Sequence, residues 1–300
     1  WIPGGTFMMG SNDHYEEEAP AHKVKVNGFW IDKYLVTNAQ FLKFVKATGY
    51  VTTAERPANP EDYPGADPAL LQPASIVFTP PPSQVEMDNH YNWWNYVRGA
   101  NWRHPEGPGS NVKGREKHPV VHVTFEDALA YVAWANKALP TEAEWEFAGR
   151  GGLEGKEFAW GDELYPNGKF MANTFQGQFP YRNSCDDGYE RTSPIGSFPA
   201  NGYGLYDMIG NVWEWTTDWY QEHQHIEKPP CCTMDNPRGG SPETSHVPNL
   251  KGLQIPRRVV KGGSYRFTPD YCKRYRPAAR LAQGIDTSTG HMGFRCIGRV

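Results

Sequence analysis

Residues 118–152 read HPVVHVTFEDALAYVAWANKALPTEAEWEFAGRGG, and the elements they encode set the fold class. Val120, Val121 and Val123 form an apolar run that suggests a buried strand. Thr124 then caps a helix with Glu126 and Asp127 in its first turn, where oxygen acceptors and negative charge meet the exposed N–H groups. Thr141 and Glu144 have capping-box spacing for a further helix, which Gly149 to Gly152 end. Upstream, TNAQFLKFVKATG (37–49) predicts another helix, with Thr37 as cap, Phe41, Phe44 and Val45 as its apolar stripe and Gly49 as its stop. The remainder reads as short strands and turns, from WIPGGTFMMGS (1–11) through KVKVNGFWID (23–32), where Asn27-Gly28 signals a hairpin, to segments 193–219, 257–267 and 292–300. No internal period repeats. A few helices on small antiparallel sheets make this an α+β chain, read as one domain over 1–300.

Composition narrows the function classes. The 300 residues carry a net charge of −4 and include 31 Gly, 26 Pro, 11 Trp and 16 Tyr. Gly and Pro make about a fifth of the chain, against roughly 12% in ordinary proteins. The aromatic residues supply the burial that a disordered chain lacks. The pattern is a globular protein built on ordered loops. A pI near 6.2 gives no electrostatic reason to bind nucleic acid or an anionic membrane. No apolar run approaches the ~18 residues of a membrane span. Five cysteines, an odd number in a long chain, do not make a disulfide framework, and a reducing compartment is expected. Residues 50–118 hold no period, are rich in Pro, Asp, Asn, Trp and Gly, and are too long for an ordinary loop. A functional role is expected there.

Several constellations carry chemistry. ANTFQGQFPYRNSCDDGY (172–189) and NGYGLYDMIGNVWEW (201–215) crowd Asn and Asp around glycines. Calcium takes six to eight oxygens, many of them loop carbonyls; the bland reading is turn formation. HQHIEKPPCC (223–232) sets His223 and His225 near Cys231 and Cys232. These atoms suit zinc or copper, but the spacing matches no zinc signature, and a vicinal disulfide or loop packing is favoured. The acidic run at 16–18 reads as a solvated face. In KGGSYRFTPDYCKRYRPAAR (261–280), Lys273, Arg274, Arg276 and Arg280 crowd Cys272. Cationic neighbours favour the thiolate, the nucleophilic and metal-binding form. Reactive thiol, metal ligand and buried structural cysteine all stay open for Cys272, whereas Cys296 reads as structural. A Ser264 nucleophile lacks the G-x-S-x-G elbow.

WIPGGTFMMGS, ANWRHPEGPGS, the 118–152 stretch, NGYGLYDMIGNVWEWTTDW, KGGSY and GFRC occur in that order over essentially the whole chain. Together they resemble the formylglycine-generating enzyme family, also called sulfatase-modifying factor. The resemblance implies a variant of the C-type-lectin fold and an oxidase that uses O₂. Its substrate would be a cysteine in a Cys-x-Pro-x-Arg segment of an unfolded sulfatase, converted to Cα-formylglycine. It implies bound calcium, with one ligand set at Asn173, the Thr174 carbonyl, Asp187 and the Tyr189 carbonyl. A second set would be Asp207, Gly210, Val212 and Glu214. It also implies copper(I) between two cysteines. The first falls three residues after Ser264, where this chain has Phe267, and the second is Cys272. Ser264, Tyr271 and Trp213 match active-site positions, and His291 stands by the family's oxygen pocket. Val132 and Gly149 replace cysteines of eukaryotic disulfides, and Cys231-Cys232 resembles bacterial members. The expectation is a cytoplasmic, bacterial-type monomer without nucleic-acid or membrane partners.

Phe267 bears on mechanism. Soft thiolates select copper(I), and loss of one removes a ligand and a negative charge together. Three readings follow: oxidation of cysteine with Cys272 and His291 holding copper, a silent paralogue that binds peptides, or a redirected oxidase. The resemblance places an extended substrate in a groove lined by ANWRHPEGP and the 50–90 segment. There Trp102 would pack on the substrate proline, with Arg103 beside it, and Glu55 would meet the motif arginine.

Overall fold

The computed structural model describes residues 1–223, 232–247 and 254–299. Three helices form where the caps predict them. They are α1 (Asn38–Thr48), α2 (Phe125–Trp134) and α3 (Glu142–Gly149), each opened by a complete capping box at Thr37, Thr124 and Thr141. Gly49 stops α1 in the left-handed conformation at φ 70°.

The strands are short. In chain order they are β1 (Gly5–Met9), β2 (His22–Val26), β3 (Trp30–Ile31), β4 (Ala74–Phe78), β5 (Trp94–Arg98), β6 (Gly177–Gln178) and β7 (Arg182–Asn183). There follow β8 (Trp213–Trp219), β9 (Met234–Asp235), β10 (Arg257–Lys261), β11 (Arg280–Gly284), β12 (Met292–Gly293) and β13 (Ile297–Gly298). The largest sheet runs β11-β10-β8-β12, with β12 parallel to β8. A second runs β1-β2-β9, and β3–β13, β4–β5 and β6–β7 form pairs.

Three expectations need correction. Asn27-Gly28 closes no hairpin: β2 pairs with β1 and β3 pairs with β13. The Asn27 N–H bonds instead to Asn236 Oδ1 at 2.8 Å, and the chain leaves the sheet there. Val120 and Val123 are fully buried but join no ladder strand. Residues 50–118 contain an antiparallel β4–β5 hairpin and several 3₁₀ turns. Buried Ser75 ties this hairpin down through His122 Nδ1 and Ser288 Oγ, both at 2.7 Å, and Ile76 N–H bonds the Ser288 carbonyl.

Two apolar clusters share the interior. One packs β1 and β2 (Phe7, Val24, Val26) on Trp145 and Phe147 of α3. The other packs α1 and α2 (Phe41, Phe44, Tyr131) on Trp102, Trp213, Trp215 and Phe294. Phe267 touches both. Buried charges cross-link this loop-rich body. Lys261, fully buried on β10, bonds Glu146 Oε2 at 2.9 Å, and Arg280 bonds Glu142 at 2.7 and 2.8 Å. Burial opposes ionisation of Glu146, yet Lys261 and Arg150 bring its carboxyl down to about 2. Arg295 grips fully buried Glu214 at 2.7 and 2.8 Å, and Trp145 Nε1 donates to the same carboxylate at 2.8 Å.

Truncating one member of such a pair strands the other charge away from water, which costs about 3–5 kcal/mol. Arg295→Met is therefore expected to destabilise the chain by about that amount, read as a lower urea midpoint with an unchanged slope. A shift below about 0.5 kcal/mol would show that Glu214 is already neutral or hydrated.

Candidate functional site around Cys272

The segment between Gly263 and Arg274 is a loop closed at its base by backbone contact. Gly263 sits at φ 69°, and a Cβ there would come within 2.5 Å of the Arg274 carbonyl oxygen, so a side chain would wedge the loop open. Inside the loop, Phe267 N–H bonds the Ser264 carbonyl and Cys272 N–H bonds the Thr268 carbonyl. The Phe267 carbonyl accepts the Phe175 N–H at 2.9 Å, which joins this loop to the Asn173–Gln176 segment.

Cys272 is a free thiol, 6% exposed. Its surroundings are polar rather than aliphatic. Arg274 Nη1 lies 3.4 Å from the sulfur as a donor, a placement suited to a sulfur that carries negative charge. Tyr15 arrives from the chain's beginning: its hydroxyl accepts the Lys273 N–H at 3.1 Å, and the Arg274 guanidinium lies 3.9 Å over its ring. Burial, and then the neighbouring Cys272, push the Tyr15 hydroxyl above its usual pKa. Glu17 holds Arg274, and Glu18 holds Arg276 through two bonds of 2.8 and 2.5 Å. The acidic run at 16–18 is therefore a solvated face only at Glu16, while Glu17 and Glu18 turn inward to arginines. Glu18 is fully buried, and the run anchors the arginines that flank the thiol. Cys296 lies apart as a second free thiol in the α1–α2 cluster.

Aromatic rings extend from the thiol. Tyr271 stacks on Phe179 at 4.3 Å, Phe179 meets Phe78, Phe78 meets Trp94, and Trp94 stacks on His291 at 4.8 Å. His291 Nδ1 is paired with Thr289 Oγ1 at 2.8 Å. Burial and nearby Arg266 depress the imidazole to about 3, which holds it neutral. Trp213 is fully buried, its Nε1–H has no acceptor among the described residues, and it packs edge to face on Phe267 at 5.5 Å. Ser264 is also fully buried, and its Oγ accepts the Arg266 N–H at 3.3 Å.

The two oxygen-rich loops abut. Asn173 O accepts the Asn211 N–H at 2.9 Å, and Gly210 packs so closely on that carbonyl that no Cβ would fit. In the first set, Asn173 Oδ1 is buried with no donor, while its Nδ2 is fixed on the Arg191 carbonyl. Asp187 receives only N–H donors, from Thr174, Tyr189 and Gln176, and burial raises its pKa. An orphaned acceptor and, bonded to the next residue's N–H, a carboxylate without a cationic partner among the described residues suit a hard cation. The second set differs from expectation. Glu214 is already served by Arg295 and Trp145, and Asp207 Oδ2 takes the Gly196 N–H at 2.8 Å, so the protein itself supplies charge to Glu214. Nothing in the structure marks the Gly210 and Val212 carbonyls as ligands. Among the described residues no three His, Cys, Asp or Glu side chains cluster as ligands. A two-thiolate copper site does not fit, because Phe267 fills its first position and His291 is engaged with Thr289 and Trp94. His223 is bonded to the Glu18 carbonyl at 3.1 Å, while His225 and Cys231 lie outside the described residues.

The residues expected to line a substrate groove meet one another. Trp102 is 1% exposed, edge to face with Phe41 in the core. Glu55 is taken by Trp102 Nε1, Arg103 Nε and the Thr52 cap, and Arg103 lies over Trp102. These three residues form a structural cluster. Sequence reasoning missed Tyr15, Glu17 and Glu18. The available signal was charge complementarity between YEEE (15–18) and the arginines after Cys272.

The "Sulfatase-modifying factor enzyme 1-like domain" family model matches residues 1–300. A curated formylglycine-generating enzyme from Mycobacterium tuberculosis is 50% identical over 99% of this chain and 96% of its own length. An inactive C-alpha-formylglycine-generating enzyme 2 from Mus musculus is 37% identical over 98% of this chain and 83% of its own. Among solved structures, PvdO from Pseudomonas aeruginosa superposes with a TM-score of 0.60 at 23% identity, covering 99% of this chain and 92% of its own, a likeness of fold.

The half-buried, hydrogen-bonded His291 is expected to show no titration between about pH 5 and about pH 8 in histidine NMR spectra. A midpoint near 6.5 would place the ring in water and overturn this geometry.

Proposed function

Because the chain belongs to the sulfatase-modifying factor enzyme 1-like family, we propose that it acts on a cysteine in an extended segment of a sulfatase-type polypeptide. The reaction is oxidation to Cα-formylglycine with O₂, in a Cys-x-Pro-x-Arg setting. The supporting observation is the Cys272 sulfur itself, under the Arg274 guanidinium in a loop whose C-terminal end is pinned by ion pairs to Glu17 and Glu18. In this reading Cys272 is the thiol that receives the substrate cysteine. Arg274 donates to its sulfur. Tyr15 and Tyr271 wall the site. His291 stays neutral and is joined to Tyr271 only through the rings of Phe179, Phe78 and Trp94. No step is assigned to copper.

A second reading has its own observation. Phe267 packs its ring against Trp213 at the position where the resemblance puts another thiolate. That packing favours a protein that holds the peptide without turning it over.

The first loop set would hold one calcium ion through Asn173, Asp187 and the Thr174 and Tyr189 carbonyls. Calcium would neutralise Asp187 and stiffen the segment bonded to Phe267.

Incubation of a Cys-x-Pro-x-Arg peptide with protein under O₂, read by aldehyde-specific mass spectrometry, separates the readings. Aldehyde from wild type and none from Cys272→Ser supports the oxidase. Aldehyde only from Phe267→Cys selects the silent binder. No aldehyde from either, with no peptide bound, overturns both. For calcium, chelation is expected to lower the melting temperature of wild type and leave Asn173→Ala unmoved; equal shifts in both would remove Asn173 as a ligand.

A further inference from the structure

Arg266 is 4% exposed and two residues from Ser264. Among the described residues it has no ion pair with any carboxylate. Its guanidinium is clamped between Phe78 at 3.7 Å and Tyr265 at 4.1 Å. Nη2 donates to the Tyr265 hydroxyl at 2.9 Å, and Nε is buried without an acceptor. The Tyr265 hydroxyl donates onward to the Gly290 carbonyl at 3.1 Å, so the clamp is fixed. Burial lowers the guanidinium pKa only to about 10, so the charge persists at neutral pH. A buried, unpaired cation is costly in a folded chain. Cation–π contact offsets only part of that cost.

The guanidinium lines a cavity of about 400 Å³. Phe78, Phe175 and Pro180 make its apolar walls, and Arg182 and Glu190 add charge at its border. The cavity wall is tied to the thiol loop: Phe175 N–H bonds the Phe267 carbonyl, and wall residues Phe78 and Phe175 both touch Phe179, on which Tyr271 stacks. Apolar walls, a fixed planar cation and open volume describe a site for a singly charged planar anion. Glu190 disfavours a phosphoryl dianion there.

We propose that this cavity is a carboxylate subsite, which takes an acidic side chain or the terminal carboxylate of the polypeptide held at Cys272. The proposal rests on the peptide-binding reading above and adds a substrate preference to it.

The test uses the whole chain and fluorescent Cys-x-Pro-x-Arg peptides. One series carries Glu or Gln at successive flanking positions with amidated ends; another carries a free or amidated C-terminus. Sodium benzoate serves as a peptide-independent probe, followed by tryptophan fluorescence. A charged hydrogen bond is worth roughly 1.5–3 kcal/mol, so one Glu peptide or one free terminus is expected to bind wild type on the order of ten- to a hundredfold tighter than its neutral partner. Arg266→Gln is expected to abolish that difference, and Arg266→Lys to keep part of it, with near-ultraviolet circular dichroism confirming that both fold. The series that responds identifies side chain or terminus. Loss of preference in Arg266→Gln without weaker binding of the neutral peptide supports the subsite. Equal binding of all charged and neutral partners by wild type, with benzoate inert, overturns it and leaves Arg266 as a packing residue. If benzoate binds through Arg266 while no peptide binds, the cavity is an anion site and the peptide reading fails alone.

Discussion

Buried carboxylate–guanidinium and carboxylate–ammonium pairs are the constraint on which this structure depends. Regular elements are short, and long irregular segments must be fixed by something other than ladders. Glu18–Arg276, Glu142–Arg280, Glu146–Lys261 and Glu214–Arg295 each join segments far apart in sequence with both partners nearly or wholly buried. Replacing such pairs with apolar residues can be neutral in stability. Their value here is positional, because each fixes where one loop lies against another. Glu17 and Glu18 do this for the thiol loop, and Glu214 does it for the strand that carries Trp213.

The capped helices were legible because their signals are local. Thr37, Thr124 and Thr141 each sit three residues before a side chain that reaches back to them, and Gly49 sits where a left-handed stop is needed. The β4–β5 hairpin was not legible. Its two five-residue strands are separated by a long Pro-, Asp- and Asn-rich segment, and neither strand shows a strict alternation. The Glu17 and Glu18 partners lie more than 250 positions away, so a charged run looked solvated. At the site, the motif positions Ser264, Tyr271, Cys272, Trp213 and His291 could be named from sequence. That Trp102 and Glu55 spend themselves on the interior could not, because burial is a property of the assembled fold.

Phe267 marks where local packing and chemistry pull apart. As a ring it bridges both apolar clusters and packs on Trp213, a gain of about 0.5–1.5 kcal/mol beyond its buried area. At the position where the resemblance puts a thiol, it offers no ligand atom. The same side chain thus strengthens the scaffold and narrows the chemistry available to the site.

The bond from Phe175 N–H to the Phe267 carbonyl ties the Asn173 loop to the thiol loop through two residues of backbone. Thermodynamic reciprocity then applies between the two ends of that tie. Whatever immobilises one loop lowers the entropy left for the other to lose, so an ion retained at Asn173 and a polypeptide seated at Cys272 would each make the other harder to dislodge. Ion affinity and peptide affinity would then be two readings of a single coupling free energy, with no change of shape required.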